Sequence, residues 1–420
     1  MATIIKIVIA YLIVMNILGF ASMGIDKQKA KKGTWRISER TLFLFAVLGG
    51  ALGSILGMRV FHHKTRHKQF VIGMPLVLAV HIIIILILAI QLRGKESSVI
   101  DFSMGTVVSA TIYGPHSDNT CNDVILLTKE LDEGYLSWRN DNSTISKLNL
   151  ELQESEKAVT DVKTATYIKD SLKLCGDSGG ALDITIHPLI QLWGIETEHP
   201  AVPKETDILQ ISETYDYSKI QVNSENHVLA ENTGLSIDLG AVGKGIAADE
   251  VRMYLERVNV AKGTELQNPV TGAVVAIGGT VLVYGNKPGN QSWQVGIRDP
   301  RGNQDEYLGY LTLKKTTVVS TSGDYEQYFE EDGVRYHHIF DPDTGYPASQ
   351  NLMSVTVVCD SGIYSDGLST ACFVLGYETS LNLLEKYNAE AIFVTCDKDI
   401  YVTDGLYNDF TLTNNHYTLR

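Results

Sequence analysis

The chain has 420 residues and a formal net charge of −14, so it has room for more than one domain and is too acidic to favour nucleic acid as a partner. The charge is unevenly divided: the first 99 residues hold 13 Lys and Arg against 3 Asp and Glu, and the remainder holds 22 against 46. A basic, apolar head before an acidic body is typical of a membrane anchor that carries a water-exposed domain.

Three apolar runs occupy the head: Ile4–Phe20, Thr41–Met58 and Phe70–Leu92. The first and third are long enough to cross the hydrocarbon core of a bilayer. The second is shorter and contains Gly49, Gly50, Gly53 and Gly57. Small residues allow close helix packing, so this run is either a tightly packed span or a re-entrant hairpin. A cleaved signal peptide is disfavoured for the first run, because two more apolar runs follow it.

The two loops between these runs are both basic, which bears on the topology of the head. The first loop holds Lys27, Lys29, Lys31, Lys32, Arg36 and Arg40, and the second holds Arg59, Lys64, Arg66 and Lys68. Three full spans would place the loops on opposite faces, against the tendency of basic loops to stay in the cytoplasm. A re-entrant second run keeps both loops cytoplasmic. We therefore expect a multi-pass protein of the cell membrane, in contact with lipid, whose larger domain lies outside the cytoplasm.

The head resembles an uncharacterised family of small bacterial membrane domains in the segments Met23–Lys27, Trp35–Glu39 and Phe61–Thr65. Its histidines are either metal ligands or contacts to lipid headgroups: His62, His63 and His67. The second interpretation is favoured because no carboxylate or cysteine accompanies them in the sequence. The five cysteines of the chain are odd in number and widely spaced, which indicates neither a disulfide framework nor a metal cluster.

The rest of the chain is interpreted as one domain of the α+β (mixed α/β) class, with the head at 1–98 and the domain at 99–420. A polar stalk, Arg93–Asp101, is expected between them. The predicted strands are Thr106–Tyr113, Val274–Ile277, Trp293–Arg298 and Ser354–Val358, with hairpins over Tyr325–Phe340 and over Ala391–Thr395 with Ile400–Thr403. The predicted helices are Asn122–Trp138, Ser143–Leu150, Thr160–Leu174 and Tyr364–Leu375, and Glu196–Asn232 is expected to be irregular.

The stretch Gly234–Asp249 pairs an apolar strand ending in Asp238 with a glycine-spaced turn, Lys244 and a helix over Ile246–Val258. Such a turn suits phosphate, because the free N–H groups and the dipole of the helix N-terminus face the ligand. Glycine also closes ordinary strand–helix connections. The motif by itself therefore does not identify a site.

Further motifs accompany this stretch in a fixed order. They are Ser103–Thr106, Gly179–Thr185, Trp293–Pro300, Val319–Tyr325, Tyr336–Pro347 and Ser365–Thr370. With them, the chain from about Ser103 to its C-terminus resembles the ApbE-like FAD:protein FMN transferases, also called flavin transferases. The resemblance implies transfer of FMN from FAD to a Ser or Thr hydroxyl of an electron-transfer flavoprotein, with release of AMP. It also implies Mg²⁺ as cofactor and FAD as substrate.

Asp366 and Thr370 lie four residues apart on a predicted helix and therefore project from one face. A carboxylate and a hydroxyl are oxygen donors of the kind that Mg²⁺ prefers. From spacing alone, a helix N-cap for Asp366 and a packed side chain for Thr370 are the simpler interpretation. The resemblance implies instead that both bind Mg²⁺, together with the backbone carbonyl of Ala241.

The resemblance also implies FAD contacts for Met104, Ala181, Leu182, Asp183, Asp238, Lys244 and His338. The sequence leaves structural alternatives: core packing for the first four, a carboxylate bonded to local N–H groups for Asp238, and a surface position for Lys244. A neutral His338 is suited to accept a proton in catalysis, with Asp366 as the competing base. Two positions depart from the family pattern: Arg139, where a flavin-stacking Tyr is common, and Thr280, where Asn is common.

Two other functions stay open on the sequence. One is a Mg²⁺-dependent pyrophosphatase that cuts FAD to FMN and AMP, and the other is a membrane-anchored protein that binds FAD without turnover. Asp366–Ala371 is faintly similar to an acceptor motif, but Cys372 stands at the place of the modified Thr. Self-flavinylation is therefore rejected as the main role.

Overall fold

The computed structural model describes residues 2–92, 96–114, 117–195, 197–260, 270–289, 291–303 and 305–420. The chain forms two compact units, Met1–Arg93 and Gly94–Arg420. A strand begins at Glu96, and its eight residues pair in register with the next strand. The expected polar stalk is therefore wrong from Glu96 onward, because a neighbouring strand satisfies this backbone whatever its side chains; residues 93–95 lie outside the described ranges.

The first unit is helical. It contains α1 (Ala2–Lys32), α2 (Glu39–Phe45), a π-helical turn (Ala46–Gly50), α3 (Ala51–Val60) and α4 (Lys68–Leu92). By length and composition, Ala10–Lys32, Glu39–Val60 and Lys68–Leu86 are apolar enough to cross a membrane. The middle stretch is not straight, because Gly49 has a φ of 111° and breaks it into two legs.

The legs α2 and α3 form a helical hairpin. A straight helix over Glu39–Val60 would be about 30 Å long, yet the side chains of Glu39 and Lys64 form an ion pair. The ring of Phe43 in α2 lies 4.8 Å from that of Phe70 in α4. Both ends of the hairpin, and both basic loops, therefore lie at the same end of this unit.

A buried contact between an aspartate and a histidine joins α1 to the end of the hairpin. Asp26 accepts a hydrogen bond from the backbone N–H of Ile37 at 2.9 Å and contacts His63 Nε2 at 2.7 Å. The interpretation of His63 as a headgroup contact was therefore wrong. Its carboxylate partner is 37 residues away in the sequence, so only tertiary structure brings the two together.

The second unit contains the helices α5 (Ser117–Leu131), α6 (Thr144–Glu154), α7 (Val162–Asp177), α8 (His187–Trp193), α9 (Glu205–Ile211), α10 (Gly243–Val260), α11 (Gly362–Leu375) and α12 (Tyr377–Lys386). Its first strands are β1 (Glu96–Ser103), β2 (Thr106–Tyr113), β3 (Lys157–Val159), β4 (Ile220–Val222), β5 (His227–Ala230), β6 (Gly272–Ile277), β7 (Thr280–Gly285), β8 (Trp293–Arg298) and β9 (Tyr307–Leu313). The remainder are β10 (Thr317–Gly323), β11 (Tyr328–Glu331), β12 (Val334–His337), β13 (Phe340–Asp341), β14 (Tyr346–Pro347), β15 (Leu352–Cys359), β16 (Glu390–Thr395), β17 (Asp399–Val402), β18 (Phe410–Leu412) and β19 (Thr418–Leu419).

Within the described residues, nine strands form one sheet in the order β1-β2-β6-β7-β10-β15-β16-β17-β19. Neighbouring strands are antiparallel except β17 and β19. The larger apolar core joins one face of the sheet to α5, α7, α10 and α11, and a second core joins the other face to the small sheet β18-β9-β8. This arrangement confirms the predicted mixed α/β class.

Two predictions in the middle of the second unit were wrong. The stretch Glu196–Asn232, expected to be irregular, holds α9, β4 and β5, and β5 pairs with both β3 and β4; Glu196 itself lies outside the described residues. The segment before Asp238, predicted as a strand, belongs to no strand of the structure. Its backbone is bonded instead by the side-chain amide of Asn149, which accepts from Ile237 N–H at 2.7 Å and donates to Ile237 O at 2.9 Å.

Candidate active site

Helices α10 and α11 approach each other closely at a pair of glycines. A Cβ atom added at Gly245 would lie 2.1 Å from the carbonyl oxygen of Gly362, and one added at Gly362 would lie 2.2 Å from that of Gly245. Any larger residue at either position would push the helices apart. The glycines therefore bring the first turn of α10 within reach of side chains on α11.

Asp366 of α11 uses this proximity to bond the first turn of α10. Its Oδ2 accepts from the backbone N–H of Gly245 at 2.9 Å, and its Oδ1 accepts from Thr280 Oγ1 at 3.1 Å. Lys244 Nζ lies 3.8 Å from Oδ1, and the carboxylate is buried. Asp366 is thus not the N-cap of its own helix, where Ser361 stands, but bonds a free N–H of another.

Thr370 lies one turn further along α11, above a strip of hydroxyl groups on the sheet. Ser322 Oγ of β10 is 3.2 Å from Thr370 Oγ1 and 2.7 Å from Ser369 Oγ. Ser320 is paired with Thr280 in the ladder of β10 and β7. The Ser320 hydroxyl is buried and has no hydrogen-bond partner among the described residues. Asp366 and Thr370 therefore share a polar surface of sheet hydroxyls, which we call the hydroxyl strip (Thr280, Ser320 and Ser322).

The turn that contains Ala241 lies beside these residues. A Cβ atom at Gly367 would be 3.0 Å from Val242 Cγ1, so the residue after Ala241 packs against the residue after Asp366. The possible donors are a carboxylate, a hydroxyl and a backbone carbonyl. This all-oxygen set fits Mg²⁺, which takes one or two carboxylates and completes its octahedron with substrate phosphates and water. In the described parts of the chain, no group of three or more His, Cys, Asp and Glu offers a competing metal site.

A hydrogen bond to the backbone fixes the tautomer of His338. Its Nδ1 lies 3.2 Å from the backbone carbonyl oxygen of Gln327. A carbonyl oxygen only accepts, so Nδ1 carries the proton and Nε2 keeps its lone pair. Burial, reinforced by the positive charge of Lys244, lowers the pKa of His338 to about 4. The neighbouring His337 is buried and bonded to the carbonyl of Ala348 at 3.1 Å, a structural position.

Met104 forms the tip of the β1–β2 hairpin and reaches the start of α10. Its Cε is 3.7 Å from where a Cβ atom at Gly243 would lie. The residue has a φ of 55°, a left-handed conformation that costs a non-glycine residue about 1 kcal/mol or more. Asp132 stabilises this conformation by accepting the Met104 N–H at 2.6 Å. A strained backbone held in this way is typical of a residue positioned for function.

In the segment Ala181–Asp183, Leu182 contacts the site and Asp183 bonds its own neighbourhood. Leu182 Cδ2 is 3.4 Å from the Cβ position of Gly367, so Leu182 contacts α11 next to Asp366. The carboxylate of Asp183 instead accepts from Thr185 N–H at 2.7 Å and from Tyr217 N–H at 3.1 Å. Burial raises the pKa of Asp183. These bonds fit the structural alternative for Asp183, and the FAD contact that the resemblance implies stays a prediction.

A row of contacting side chains runs from Asp238 to Arg139, the position where the family pattern has a Tyr. Asp238 accepts from Gly240 N–H at 2.8 Å and lies 3.3 Å from His187 Nδ1. The His187 ring meets Trp138 edge-on, with centroids 4.1 Å apart, and the Arg139 guanidinium lies 4.2 Å from the Trp138 ring. The indole and the guanidinium thus form one stacked surface beside Asp238.

Three residues of this arrangement were assigned no role from the sequence: His187, Asp132 and Ser322, of which Ser322 lies within the motif Val319–Tyr325. Thr280 was noted only as a departure from a pattern. All four reach the site through sheet register or through contacts distant in sequence. The signal that the sequence does carry is Gly243-x-Gly245, whose second glycine permits the helix crossing.

Comparisons with known proteins show the family and the fold of the chain. Residues 104–393 match the ApbE family, and residues 16–70 match a family described as a protein of unknown function (DUF1294). The FAD:protein FMN transferase of Treponema pallidum (strain Nichols) is 30% identical over 345 residues, covering 78% of this chain and 92% of that protein. The crystal structure of the ApbE protein of Thermotoga maritima superposes with a TM-score of 0.66 at 29% identity, over 75% of this chain and 99% of that one. The Pseudomonas stutzeri flavinyl transferase ApbE, in its apo form, gives a TM-score of 0.64 at 28% identity, over 76% and 98%.

Proposed function

The chain belongs to the ApbE family, and we propose that it is a transferase that moves FMN from FAD to a Ser or Thr hydroxyl of an acceptor flavoprotein, with Mg²⁺. The observation that carries the proposal is the position of Asp366, which bonds the first turn of α10 beside Lys244. A helix N-terminus, an ammonium and a carboxylate meet there. This is a suitable place for the pyrophosphate of FAD and a divalent cation.

The reaction is a nucleophilic substitution at phosphorus. The acceptor oxygen attacks the FMN-side phosphorus of FAD, a new P–O bond forms, and the P–O bond to AMP breaks. The hydroxyl proton passes to a base, and AMP leaves with the pyrophosphate bridging oxygen. Such a reaction depends mainly on positioning and on neutralising charge, so the protein needs few groups.

The residues of the site divide these tasks. The N-terminal turn of α10 and Lys244 bind the pyrophosphate oxygens. Asp366, Thr370 and the Ala241 carbonyl would hold Mg²⁺, which supplies positive charge to the phosphate oxygens when bound. Nε2 of His338 accepts the proton of the acceptor hydroxyl, which its neutral state at physiological pH permits. Asp366, already bonded to two donors, is the less suitable base.

The flavin half of FAD requires an apolar and aromatic surface. Met104 and Leu182 provide adaptable apolar contacts on the two sides of the α10–α11 crossing. The stacked Trp138 and Arg139 replace the flavin-stacking Tyr of related sequences, because an indole or a guanidinium plane also stacks on an aromatic ring. Asp238 is placed to bond FAD on the side of His187.

The transferase unit is proposed to lie outside the cytoplasm, carried by α1 and α4 as membrane-crossing helices in contact with lipid. Support comes from the first unit, where both basic loops lie at one end. If that end is cytoplasmic and α4 crosses the membrane, the chain continues from α4 on the non-cytoplasmic face. The acceptor would then be an electron-transfer flavoprotein exposed on that face.

An assay of AMP release tests the proposed reaction. Purified protein, FAD and Mg²⁺ are incubated with and without a flavoprotein acceptor peptide, and the peptide is examined for an FMN adduct by mass spectrometry. We expect AMP and adduct only with the acceptor. Equal AMP release without it would identify a pyrophosphatase, and a stable yellow protein that releases no AMP in either case would identify a binding protein.

A further inference from the structure

The hairpin of α2 and α3 contains a helix break within an apolar unit, which the transferase chemistry does not use. Each backbone carbonyl at such a break needs a hydrogen-bond donor, because lipid supplies none. Three consecutive carbonyls at the break find donors on neighbouring helices. His81 Nε2 lies 2.9 Å from Val47 O, Tyr11 Oη donates to Leu48 O at 2.9 Å, and Asn16 Nδ2 donates to Gly49 O at 3.0 Å.

Asn16 bonds both sides of the break. Besides donating to Gly49, it accepts from the backbone N–H of Gly53 in α3 at 2.7 Å. One amide therefore satisfies an acceptor at the end of the first leg and a donor at the start of the second. This is a specific role for a polar residue in an apolar helix, and it also explains His81 within the apolar run of α4.

The direction of packing excludes a single crossing by Glu39–Val60. Along α1 and α3, contacts run in parallel: Gly19 meets Gly50, Met23 meets Gly57 and Gly24 meets Phe61. Gly50, Gly53 and Gly57 have no room for a Cβ atom, since one at Gly53 would lie 1.9 Å from the Asn16 carbonyl oxygen. Successive full spans run antiparallel, so a parallel neighbour requires the chain to have turned back in between.

The depth of the hairpin fits partial entry into a bilayer. Its tip at Gly49 lies beside Leu12, and its open end lies beside Asp26. These α1 residues are about 21 Å apart along the helix axis, against a hydrocarbon core of about 30 Å. The outward side is apolar and exposed over both legs: Leu44, Val47, Leu48, Leu52, Leu56 and Val60.

We infer that Glu39–Val60 is a re-entrant hairpin that enters and leaves the membrane through the same face and presents its apolar outer side to acyl chains. Tyr11, Asn16 and His81 hold its break. The inference extends the membrane orientation given under the proposed function and does not depend on the flavin chemistry.

Cysteine labelling tests it on the full chain. The head contains no cysteine, and Cys396 is the exposed one of the five, so it reports the side of the transferase unit. Thr34→Cys and Arg66→Cys, each in a Cys396→Ser background, report the two loops. A membrane-impermeant maleimide is applied to intact spheroplasts and to inverted vesicles.

We expect both loop cysteines to react in inverted vesicles and Cys396 to react in spheroplasts. Loops that react from opposite sides would overturn the hairpin. Two loops that react from one side, with Cys396 reacting in inverted vesicles instead of spheroplasts, would overturn the proposed orientation and leave the hairpin standing, so the two failures are distinguishable.

Variants of the residues that donate to the carbonyls at the break, such as Asn16 and His81, test the break itself. His81→Leu and Asn16→Leu should lower the aggregation temperature of the detergent-solubilised protein by several degrees, because each leaves a backbone carbonyl at the break, Val47 O or Gly49 O, without its donor. His81→Gln keeps a donor and should restore most of the loss. Ser22→Ala is the matched control, since Ser22 donates only within α1, to Gly19 O. Unchanged stability in both Leu variants would overturn the role given to Asn16 and His81 as donors at the break.

Discussion

The carboxylate of Asp366 accepts a hydrogen bond at 2.9 Å from the backbone N–H of Gly245, 121 residues earlier in the chain. The bond ties the middle of α11 to the first turn of α10. It places negative charge at a helix N-terminus, where the helix dipole stabilises it. The same carboxylate is available to a cation that approaches with phosphate, so structure and proposed chemistry share one side chain.

Replacement of Asp366 should abolish transfer while preserving the fold. Asp366→Asn keeps the shape and loses the charge, so we expect FMN transfer from FAD to fall by about 100-fold or more, the size of effect seen when one electrostatic contact to a transition state is lost. AMP release with an acceptor peptide measures it. Asp360→Asn, an exposed carboxylate paired with Lys315 near the start of the same helix, should retain full activity. Normal turnover by Asp366→Asn would contradict the metal assignment.

Gly245→Ala should separate the two helices. Its Cβ atom would meet the carbonyl of Gly362 at 2.1 Å, and relieving that overlap costs about 1–3 kcal/mol of the free energy of unfolding. Thermal unfolding measures the loss, and activity should fall with it. Gly176→Ala is the control: Gly176 is exposed in α7, with only a distant ring atom 3.9 Å from the added Cβ, so stability should rise slightly. Equal behaviour of the two variants would rule out a tight crossing.

The hydroxyl of Thr280 should position the carboxylate of Asp366. Thr280→Val keeps the shape but removes the donor 3.1 Å from Oδ1, and we expect about tenfold lower kcat, since a hydrogen bond to a charged group is worth about 1.5–3 kcal/mol. Thr280→Ser retains a hydroxyl and should recover most of the activity. The Mg²⁺ concentration needed for half-maximal activity is measured for both variants. If Thr280 positions Asp366, this concentration shifts in the Val variant and not in the Ser variant. A loss of activity without such a shift would indicate a general loss of packing.

The lowered pKa of His338 should set the acid limit of activity. Its pKa of about 4 in the folded protein lies below its ordinary value of 6.5, because burial and Lys244 disfavour the charged imidazole. Activity should therefore persist well below pH 6.5 and fall as the pH approaches 4.

The same pKa has a consequence for stability. Between pH 6.5 and 4 the unfolded chain binds a proton that the folded chain does not, so this group's contribution to stability is complete above pH 6.5 and is lost as the pH falls toward 4. His338→Gln should remove the acid limb at about pH 4 and flatten that part of the stability profile. A kinetic limb near 6.5 in the unaltered enzyme would exclude His338 as the base.

The sequence predicts the parts of the site that depend on local periodicity. Asp366 and Thr370 lie on one helix because four residues make one turn, and the helix after the glycine turn begins close to the predicted place. The partners of these residues are not predictable in this way. Thr280 and Ser322 reach α11 because β7 and β10 are neighbours in one register, which is a property of the whole sheet.

The membrane-domain prediction has the same limit. The sequence indicates that a glycine-rich run either spans or re-enters, because composition alone fits both. The contacts on which the proposed re-entrant hairpin rests, Asp26 with His63 and Asn16 with Gly53, each span 37 residues of sequence. The segment before Asp238 was wrongly predicted as a strand for a related reason: its backbone at Ile237 is bonded by the side chain of Asn149, 88 residues away in the sequence.

The chain-order arrangement of the nine-stranded sheet affects how the protein is made. Each strand pairs with the preceding strand of that sheet, from β1 at the start of the second unit to β19 at the C-terminus. A nascent chain can therefore add strands in order to an existing edge, and β2 has to wait for its second neighbour, because Val108 pairs with Ile277 of β6. The α10–α11 crossing can form only after α11, Gly362–Leu375, has been synthesised, so the proposed FAD site is assembled later than the strands from β1 to β15.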